Sequence, residues 1–257
     1  MLPRAAPVGC RGEGRVGHPY FALRDRGRVR PVNQDNALAT EFPGGRVLLL
    51  VADGVGGARA GEVASAEAMN AALDTIRSAI DRVAAEEALA RAVDAANARV
   101  YTLSANDAAL SGMATTMVIA LIEHGRATIL NVGDSRAYVA SKGTLHALTT
   151  DDSWVEQQVA SGAMTRDEAE RSPYRNAITK GIGVDESLDP GAIVRTALVP
   201  GDVLLLCSDG LYRLVPPGVI AETLAAYGPD EAGHRLVALA NEGGGTDNIS
   251  MAIFRRE

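Results

Sequence analysis

Two aspartates follow two similar runs of apolar residues in this chain of 257 residues. One run, 48–52, leads directly into Asp53 and Gly54. The other, 204–207, leads through one serine into Asp209 and Gly210. A carboxylate at the end of a buried strand is costly to desolvate unless another group pairs with it. Two carboxylates in matching contexts therefore predict a shared partner, and a cation is the simplest one.

Two further aspartates, Asp134 and Asp247, lie beside small residues at the ends of expected strands. Small neighbours let the backbone come close to a bound group and leave glycine carbonyls as ligands. A single Asp–Gly pair usually marks a turn, but the four aspartates together favour a metal centre. Oxygen ligands select hard cations such as Mg²⁺, Mn²⁺ or Ca²⁺. Zinc is disfavoured because the sequence has no Cys/His cluster.

Carboxylates that hold two metal ions could support attack of water on phosphorus. Two metals bridged by one carboxylate can acidify a water and neutralise charge on the phosphoryl oxygens. Such a site also needs a fixed cation for the substrate phosphate, and the planar fork of arginine suits this role. Arg30 is a candidate because it precedes Asn-Gln-Asp at 33–35. The residues alone do not distinguish it from the other arginines of its basic run, Arg24, Arg26 and Arg28.

The elements that would position these residues alternate between strands and helices. The apolar run 46–52 predicts a buried strand, and the glycine-rich turn 54–57 precedes two amphipathic helices. Turns as short as 123–126 and 142–143 join antiparallel neighbours, so a doubly wound parallel sheet is excluded. We therefore expect two antiparallel sheets with helices outside. The expected strands are 115–122, 127–132, 136–140, 145–148, 193–198, 203–207 and 249–254, and the later helices are 153–161, 165–171, 217–227 and 230–241.

The overall composition predicts a single domain over 19–257, preceded by a disordered tail at 1–18. Residues 149–190 are polar and irregular, which indicates a flap-like excursion over the surface. A net charge of −7 argues against nucleic-acid or anionic-membrane partners. No apolar run approaches the ~20 residues of a membrane span. Two cysteines exclude a disulfide framework, so we expect a cytoplasmic protein, and we expect it to be a monomer.

Six short segments, in chain order, resemble the motifs of the metal-dependent Ser/Thr protein phosphatases of the type 2C (PPM) family. Any one of these matches is weak, but six in order at compatible spacing are highly specific. The length is similar to that of the bacterial members. The segments are DRGRVRPVNQD at 25–35, ADGVGG at 52–57, GMATT at 112–116, GDSR at 133–136, CSDGL at 207–211 and GGTDN at 244–248.

The resemblance implies a four-layer α-β-β-α sandwich of two antiparallel sheets flanked by helices. It also implies two catalytic Mn²⁺ or Mg²⁺ ions, and a third, looser ion found in bacterial members. Asp53 would bridge the catalytic pair, Asp209 and Asp247 would complete the second ion, and Asp134 would join Asp209 at the third. The other implied roles are the Gly54 carbonyl on the first ion, Arg30 on the substrate phosphate, Asp35 acting through metal-bound water, and Asn248 outside the ligands.

The resemblance further implies that the chain hydrolyses phosphoserine and phosphothreonine in proteins by attack of a metal-bridging water. Its substrates would be phosphorylated proteins, the products of a Ser/Thr kinase. Two departures from the family pattern are Ala58, where bacterial relatives have histidine, and Ala114, where they have glycine. Neither removes a metal ligand, so we expect activity to be retained.

The same residues are open to three other interpretations. A pseudophosphatase that only binds phosphoproteins would be expected to have lost ligands, whereas all four aspartates are present. The chain could also be another kind of metal-dependent phosphohydrolase, and only the order of the motifs argues against that interpretation. A cysteine-dependent phosphatase is suggested by the spacing of Cys207 and Arg213. It is disfavoured because Cys207 lies in a buried strand and Asp209 would repel phosphate.

Overall fold

The computed structural model describes residues 18–55 and 60–257. Residues 1–17, which make up nearly all of the predicted tail, lie outside the described residues. Residues 56–59, which include Ala58, also lie outside them. The strands are β1 Tyr20–Asp25, β2 Asp35–Phe42, β3 Arg46–Val55, β4 Ala114–Thr115, β5 Met117–Glu123, β6 Arg126–Val132, β7 Arg136–Ser141, β8 Thr144–Ala147, β9 Val194–Ala197, β10 Val203–Cys207 and β11 Ile249–Arg255. The helices are α1 Ala60–Ala79, α2 Ala85–Asn106, α3 Trp154–Ala160, α4 Arg166–Arg171, α5 Asp209–Tyr212, α6 Pro217–Ala226 and α7 Pro229–Glu242.

The strands form two antiparallel sheets, as predicted. One sheet has the order β1-β11-β10-β7-β8, and the other has β2-β3-β5-β6-β9 with the short β4 beside β3. Helices α1 and α2 cover the outer face of the second sheet, and α5, α6 and α7 cover the outer face of the first. The predicted fold class, an α+β sandwich of two sheets flanked by helices, is therefore confirmed.

The protein has three apolar layers, one between the two sheets and one between each sheet and its helices. These layers explain why the sequences of β3 and β10 are continuous hydrophobic runs. In β3, Leu48 and Leu50 pack against α1 and α2, whereas Leu49 and Val51 face the other sheet. In β10, Leu204 and Leu206 join that same layer between the sheets. Successive side chains of a strand point to opposite faces, so a strand that is covered on both faces needs apolar residues at every position.

The observed elements differ from the predicted ones mainly near the site. Strands β1 and β2 were not predicted, because each lies at the edge of its sheet and lacks a long apolar run. Strand β3 continues past its predicted end at residue 52. The extension occurs because Gly54 and Val55 pair with Thr115 and Ala114 of β4. Asp53 therefore lies within a strand that is paired on both sides.

The expected flap, 149–190, contains the two short helices α3 and α4 and otherwise irregular backbone. Two isolated bridges, Ser153 with Ile178 and Thr115 with Ile182, fasten it to itself and to β4. Within 18–55 and 60–257, none of the helices is both long and apolar enough to cross a membrane.

Candidate metal centre

Asp35 and Asp53 lie directly opposite each other on the paired strands β2 and β3. The backbone of Asp53 is fixed from the far side, because its N–H donates to Thr116 Oγ1 at 3.0 Å and its carbonyl accepts from Thr115 Oγ1 at 2.8 Å. Thr116 Oγ1 in turn lies 2.8 Å from Ser135 Oγ. The two central strands thus bring two carboxylates together at one fixed position.

One oxygen of Asp35 is well satisfied and the other is not. Its Oδ2 accepts hydrogen bonds from Ser208 Oγ and Ser250 Oγ, each at 2.8 Å. Its Oδ1 is buried and has no hydrogen-bond partner among the described residues. Leaving such a group unpaired costs about 1 to 3 kcal/mol. The unpaired oxygen therefore fits a site that receives a cation or a water bound to one.

Burial and mutual repulsion raise the pKa values of these carboxyls. Burial raises the pKa of Asp35 to about 6 despite its two serine hydrogen bonds. The pKa of Asp53 rises well above its usual range through burial and through the charges of Asp35, Asp209, Asp134 and Asp247. Burial, followed by the charge of Asp209, raises the pKa of Asp134 to about 7. A cluster of carboxyls that resists ionisation is the electrostatic condition under which a multivalent cation binds favourably.

Asp247 and Arg30 form an ion pair at the edge of this cluster. Arg30 Nη2 donates to Asp247 Oδ2 at 2.8 Å, and the Arg30 side chain is 48% exposed. The charges of Asp53 and Asp209 also act on Arg30 and help to raise its pKa. The structure thus places Arg30 beside the carboxylates, with its guanidinium still open to solvent, whereas Arg24 is directed at Asn36 and the Asp35 carbonyl.

Arg213 supplies a second cation on the opposite side. Its Nε lies 3.1 Å from Asp209 Oδ2, and its Nη2 lies 3.4 Å from Asp134 Oδ2. The ion pair with Asp209 is not a hydrogen bond, because Nε has no hydrogen-bond partner among the described residues. Arg213 also binds the flap through Asn176 Oδ1 and, at 3.1 Å, through the Arg175 carbonyl.

Asn248 holds the basic loop against the start of β11. Its Nδ2 donates to the carbonyls of Arg26 and Val32, each at 2.9 Å, and its Oδ1 accepts from the Gln34 N–H at 2.9 Å. Asn248 therefore positions the loop that carries Arg30, and it acts from outside the carboxylate cluster.

Glycines allow the close backbone approaches around the site. A Cβ on Gly54 would lie 2.1 Å from the Gly61 carbonyl oxygen, and one on Gly210 would lie 1.9 Å from the Asn248 carbonyl oxygen. The Gly54 carbonyl in turn faces the Cα of Gly61, where an added Cβ would lie 2.8 Å from it. These contacts explain why glycine follows both Asp53 and Asp209. An Asp–Gly pair usually marks a turn, but here the glycine is needed because a side chain would collide with neighbouring backbone.

Among the described residues, no three acidic, histidine or cysteine side chains already converge as a complete set of metal ligands. Asp247 turns towards Arg30, and Asp209 and Asp134 turn towards Arg213. The donor chemistry is nevertheless that of a hard-cation site, because the clustered side chains offer carboxylate oxygens. Asp53, Asp209 and Asp247 fit two such ions, and binding of those ions would displace the contact of Arg30 with Asp247.

The sequence analysis missed several residues that shape the site. Ser208 and Ser250 hold Asp35, Thr116 fixes the Asp53 backbone, and Arg213 binds two of the aspartates. The two serines carried a usable signal, since each interrupts an otherwise apolar strand or its end and a buried hydroxyl needs a polar partner. The role of Arg213 could not be predicted from the residues around it, because its partners Asp134, Arg175 and Asn176 are distant in sequence.

Ala114 and Cys207 both lie near the site and are both buried. Ala114 is buried in β4, opposite Val55, so its methyl group is accommodated within a regular strand pair. Cys207 is fully buried, and burial raises the pKa of its thiol to about 12. Its thiol is therefore neutral and inaccessible near neutral pH, which argues against a nucleophilic cysteine.

Comparison with known proteins supplies an independent test of this arrangement. Residues 26–238 match the family model for protein phosphatase 2C. A serine/threonine phosphatase, stp, of Listeria monocytogenes is 34% identical over 240 residues, which cover 91% of this chain and 94% of that protein. The crystal structure of the Mycobacterium tuberculosis serine/threonine phosphatase PstP/Ppp is similar at a TM-score of 0.83 and 35% identity, covering 93% of this chain and 98% of that one. A PstP catalytic domain in complex with two manganese ions is similar at a TM-score of 0.77 and 33% identity, covering 92% of this chain and 96% of that one.

Proposed function

The chain belongs to the protein phosphatase 2C family, and we propose that it hydrolyses phosphoserine and phosphothreonine with two metal ions held by Asp53, Asp209 and Asp247. It is a metal-dependent Ser/Thr protein phosphatase of the bacterial PPM type. The observation that carries the residue assignment is the pairing of Asp35 with Asp53 at the centre of a group of buried, mutually repelling carboxyls.

The metal ions would supply an acidified water and positive charge on the phosphoryl oxygens. Mn²⁺ and Mg²⁺ both suit the oxygen donors, and a related phosphatase binds two manganese ions. Asp53 would contact both ions, because it lies opposite Asp35 and because the charges of Asp209, Asp134 and Asp247 act on it, and the Gly54 carbonyl would join the first ion. Asp35, held by two serines and left with one unpaired oxygen, would orient the water.

Arg30 is proposed to bind the substrate phosphate. Its guanidinium is half exposed and lies beside Asp247, and its planar fork can donate hydrogen bonds to two phosphoryl oxygens. Asn248 would keep the Arg30 loop in place through its three backbone contacts.

The substrate would approach through the opening between the cluster and the flap. A cavity of about 230 Å³ lies there, lined by Asp209, Asp247 and Arg213 together with Arg175 and Asn176 of the flap. This volume is large enough for a phosphorylated side chain and small enough to leave the rest of a peptide on the surface. We therefore propose folded or extended phosphoproteins as substrates, made by a Ser/Thr kinase and presented in the cytoplasm to a monomer.

We propose that residues 19–257 form one catalytic domain, because the two sheets share the apolar layer between them. The flap, 149–190, belongs to that domain and contributes side chains to the cavity.

The test is hydrolysis of phosphoserine, phosphothreonine and phosphotyrosine peptides in Mn²⁺, in Mg²⁺ and in excess chelator. We expect turnover of the first two peptides with either metal and none in chelator. Asp209→Asn should abolish turnover, whereas Asp94→Asn on the exposed face of α2 should match the wild type. Turnover that persists in chelator and disappears on thiol alkylation would contradict the proposal. Binding of phosphopeptides without turnover by the wild type would favour a pseudophosphatase.

A further inference from the structure

The Arg213 guanidinium lies between the two aspartates that the family resemblance assigns to a third metal ion. Its Nε is 3.1 Å from Asp209 Oδ2 and its Nη2 is 3.4 Å from Asp134 Oδ2. All three side chains are largely buried, with exposures of 24% for Arg213, 12% for Asp209 and 9% for Asp134. A monovalent cation that belongs to the chain therefore already stands where the third ion would bind.

We propose that Arg213 replaces the third metal ion, so that this phosphatase works with two ions and a guanidinium fixed in the chain. The inference rests on the proposed function, because it takes Asp53, Asp209 and Asp247 as the ligands of the two catalytic ions. It concerns the pair Asp134 and Asp209, for which the residues present do not fit an additional divalent cation.

The first argument is electrostatic. A divalent cation between Asp134 and Asp209 would lie within a few ångströms of the guanidinium, and like charges at that distance repel strongly at a buried site. Arginine stays charged at every physiological pH, so deprotonation cannot relieve that repulsion. An ion could bind only if Arg213 moved away.

The second argument is that Arg213 is held in place by several elements. It follows α5 directly, and its guanidinium contacts the flap at the Arg175 carbonyl, 3.1 Å from Nη2, and at Asn176 Oδ1. It also lies over the ring of Tyr212, whose hydroxyl donates to the Asp134 carbonyl at 3.1 Å. Moving Arg213 would break contacts to two aspartates and to the flap at once.

These contacts give Arg213 a second consequence, which is to tie the flap to the carboxylate cluster. A bound metal ion would contact the aspartates only, whereas the guanidinium also donates to residues 175 and 176. We therefore regard Arg213 as a positioning residue that neutralises Asp134 and Asp209 and holds the flap beside them.

The experiment counts Mn²⁺ ions on wild type, Arg213→Gln and Arg213→Lys by titration calorimetry and by anomalous scattering from Mn²⁺-soaked crystals. We expect two ions on the wild type and on Arg213→Lys, which keeps the positive charge. We expect a third ion between Asp134 and Asp209 in Arg213→Gln. The matched control is Arg235→Gln, because Arg235 also stacks on a tyrosine and pairs with an acid four residues before it, far from the cluster. The control should bind two ions.

Hydrogen exchange of the metal-free proteins provides a readout that is independent of activity. Residues 172–177 should exchange faster in Arg213→Gln than in wild type, and Arg235→Gln should leave them unchanged. A third ion on the wild type with Arg213 in place, or an unchanged count of two in Arg213→Gln, would overturn the inference. Failure of the wild type to hydrolyse phosphopeptides while the counts behave as expected would instead count against the proposed function.

Discussion

Asp53 is the residue on which the charges of the site converge. Four other carboxyls act on it, and burial adds to their effect on its pKa. Such an arrangement destabilises the fold unless a cation is present, so it is retained for binding rather than for stability. The same repulsion makes Asp53 a useful probe of the metal centre.

We predict that Asp53→Asn stabilises the fold in excess chelator, by on the order of 1 kcal/mol, because the amide keeps the shape and removes a carboxyl whose ionisation is opposed by burial and by its neighbours. Loss of a residue that only hydrogen-bonds to a metal ligand lowers activity by up to roughly 100-fold. In Mn²⁺, Asp53→Asn should lower activity by more than this factor, because Asp53 is proposed to bind the metal directly. Urea unfolding and phosphopeptide turnover measure the two effects. Asp94→Asn, on an exposed face, should alter neither. An active Asp53→Asn would remove this residue from the metal centre.

Cys207 shows how burial controls reactivity at the residue scale. Because it is fully buried, we predict that thiol alkylation of the native protein leaves phosphatase activity unchanged, and that Cys207→Ala remains active. Labelling followed by mass spectrometry and turnover assays would show this. If alkylation inactivated the wild type but not Cys207→Ala, the result would support the hypothesis of a cysteine-dependent phosphatase.

The raised pKa of Cys207 also predicts how stability depends on pH. A thiol ionises near 9 in the unfolded chain, whereas burial raises its pKa to about 12 in the folded protein. The contribution of the buried, neutral thiol is thus complete below pH 9 and is lost as the pH rises from about 9 to 12. Urea midpoints of the metal-free protein should fall over that window, and less steeply for Cys207→Ala. Equal slopes for the two proteins would contradict the shifted pKa.

At the element scale, the site depends on how closely α5 approaches the start of β11. Gly210, the second residue of α5, lies against the Asn248 carbonyl, where a Cβ would come within 1.9 Å of the oxygen. Both sides of this contact are backbone, so no side chain can move to relieve the overlap. The position of Asp209 at the start of α5 therefore depends on the glycine that follows it.

We predict that Gly210→Ala destabilises the protein by about 1 to 3 kcal/mol and lowers Mn²⁺-dependent turnover. Gly218→Ala in α6 is the matched control, because no atom outside its neighbours lies within 4 Å of the added Cβ. That variant should gain about 0.4 to 1 kcal/mol at unchanged turnover. Urea unfolding and peptide hydrolysis distinguish them. Similar behaviour of the two alanine variants would show that the α5 approach is unimportant.

At the scale of the whole molecule, the acidic cluster lies at one edge of a protein with a net charge of −7. The field of the molecule therefore favours divalent cations, and binding at the cluster should stabilise the entire fold through linkage. The two sheets contribute jointly, since Asp35 and Asp53 come from one sheet, whereas Ser208 directly follows β10 and Ser250 lies within β11 of the other.

We predict that Mn²⁺ at about 100 times its dissociation constant raises the free energy of unfolding by about 2.7 kcal/mol per independent ion. Urea unfolding in Mn²⁺ and in chelator at equal ionic strength measures the difference. Asp209→Asn should reduce the gain, and potassium chloride should not reproduce it. An unchanged urea midpoint in Mn²⁺ would mean that the carboxylates do not bind the ion in the folded state.

Much of the fold could be predicted from particular stretches of sequence. The apolar run of β3 indicated a strand buried on both faces, that of β10 indicated a buried strand, and the short turns at 123–126 and 142–143 indicated antiparallel neighbours. Edge strands β1 and β2 were missed because they are only partly buried and lack such runs. Asp35 was consequently assigned a role from resemblance alone, without a strand to place it.

The two-sheet architecture and the chemistry of the donor set could be predicted without the structure, because alternation, turn residues and aspartates at strand ends are local properties of the chain. Which side chains meet depends on the packing of the folded chain. Asp35 faces Asp53 through strand register, Ser208 reaches Asp35 across 173 positions, and Arg213 reaches Asp134 across 79. Contacts between residues so far apart depend on how sheets and helices pack, and no local pattern encodes that packing. The hard-cation site could therefore be predicted from the sequence, whereas the position of the Arg213 guanidinium beside Asp134 and Asp209 could not.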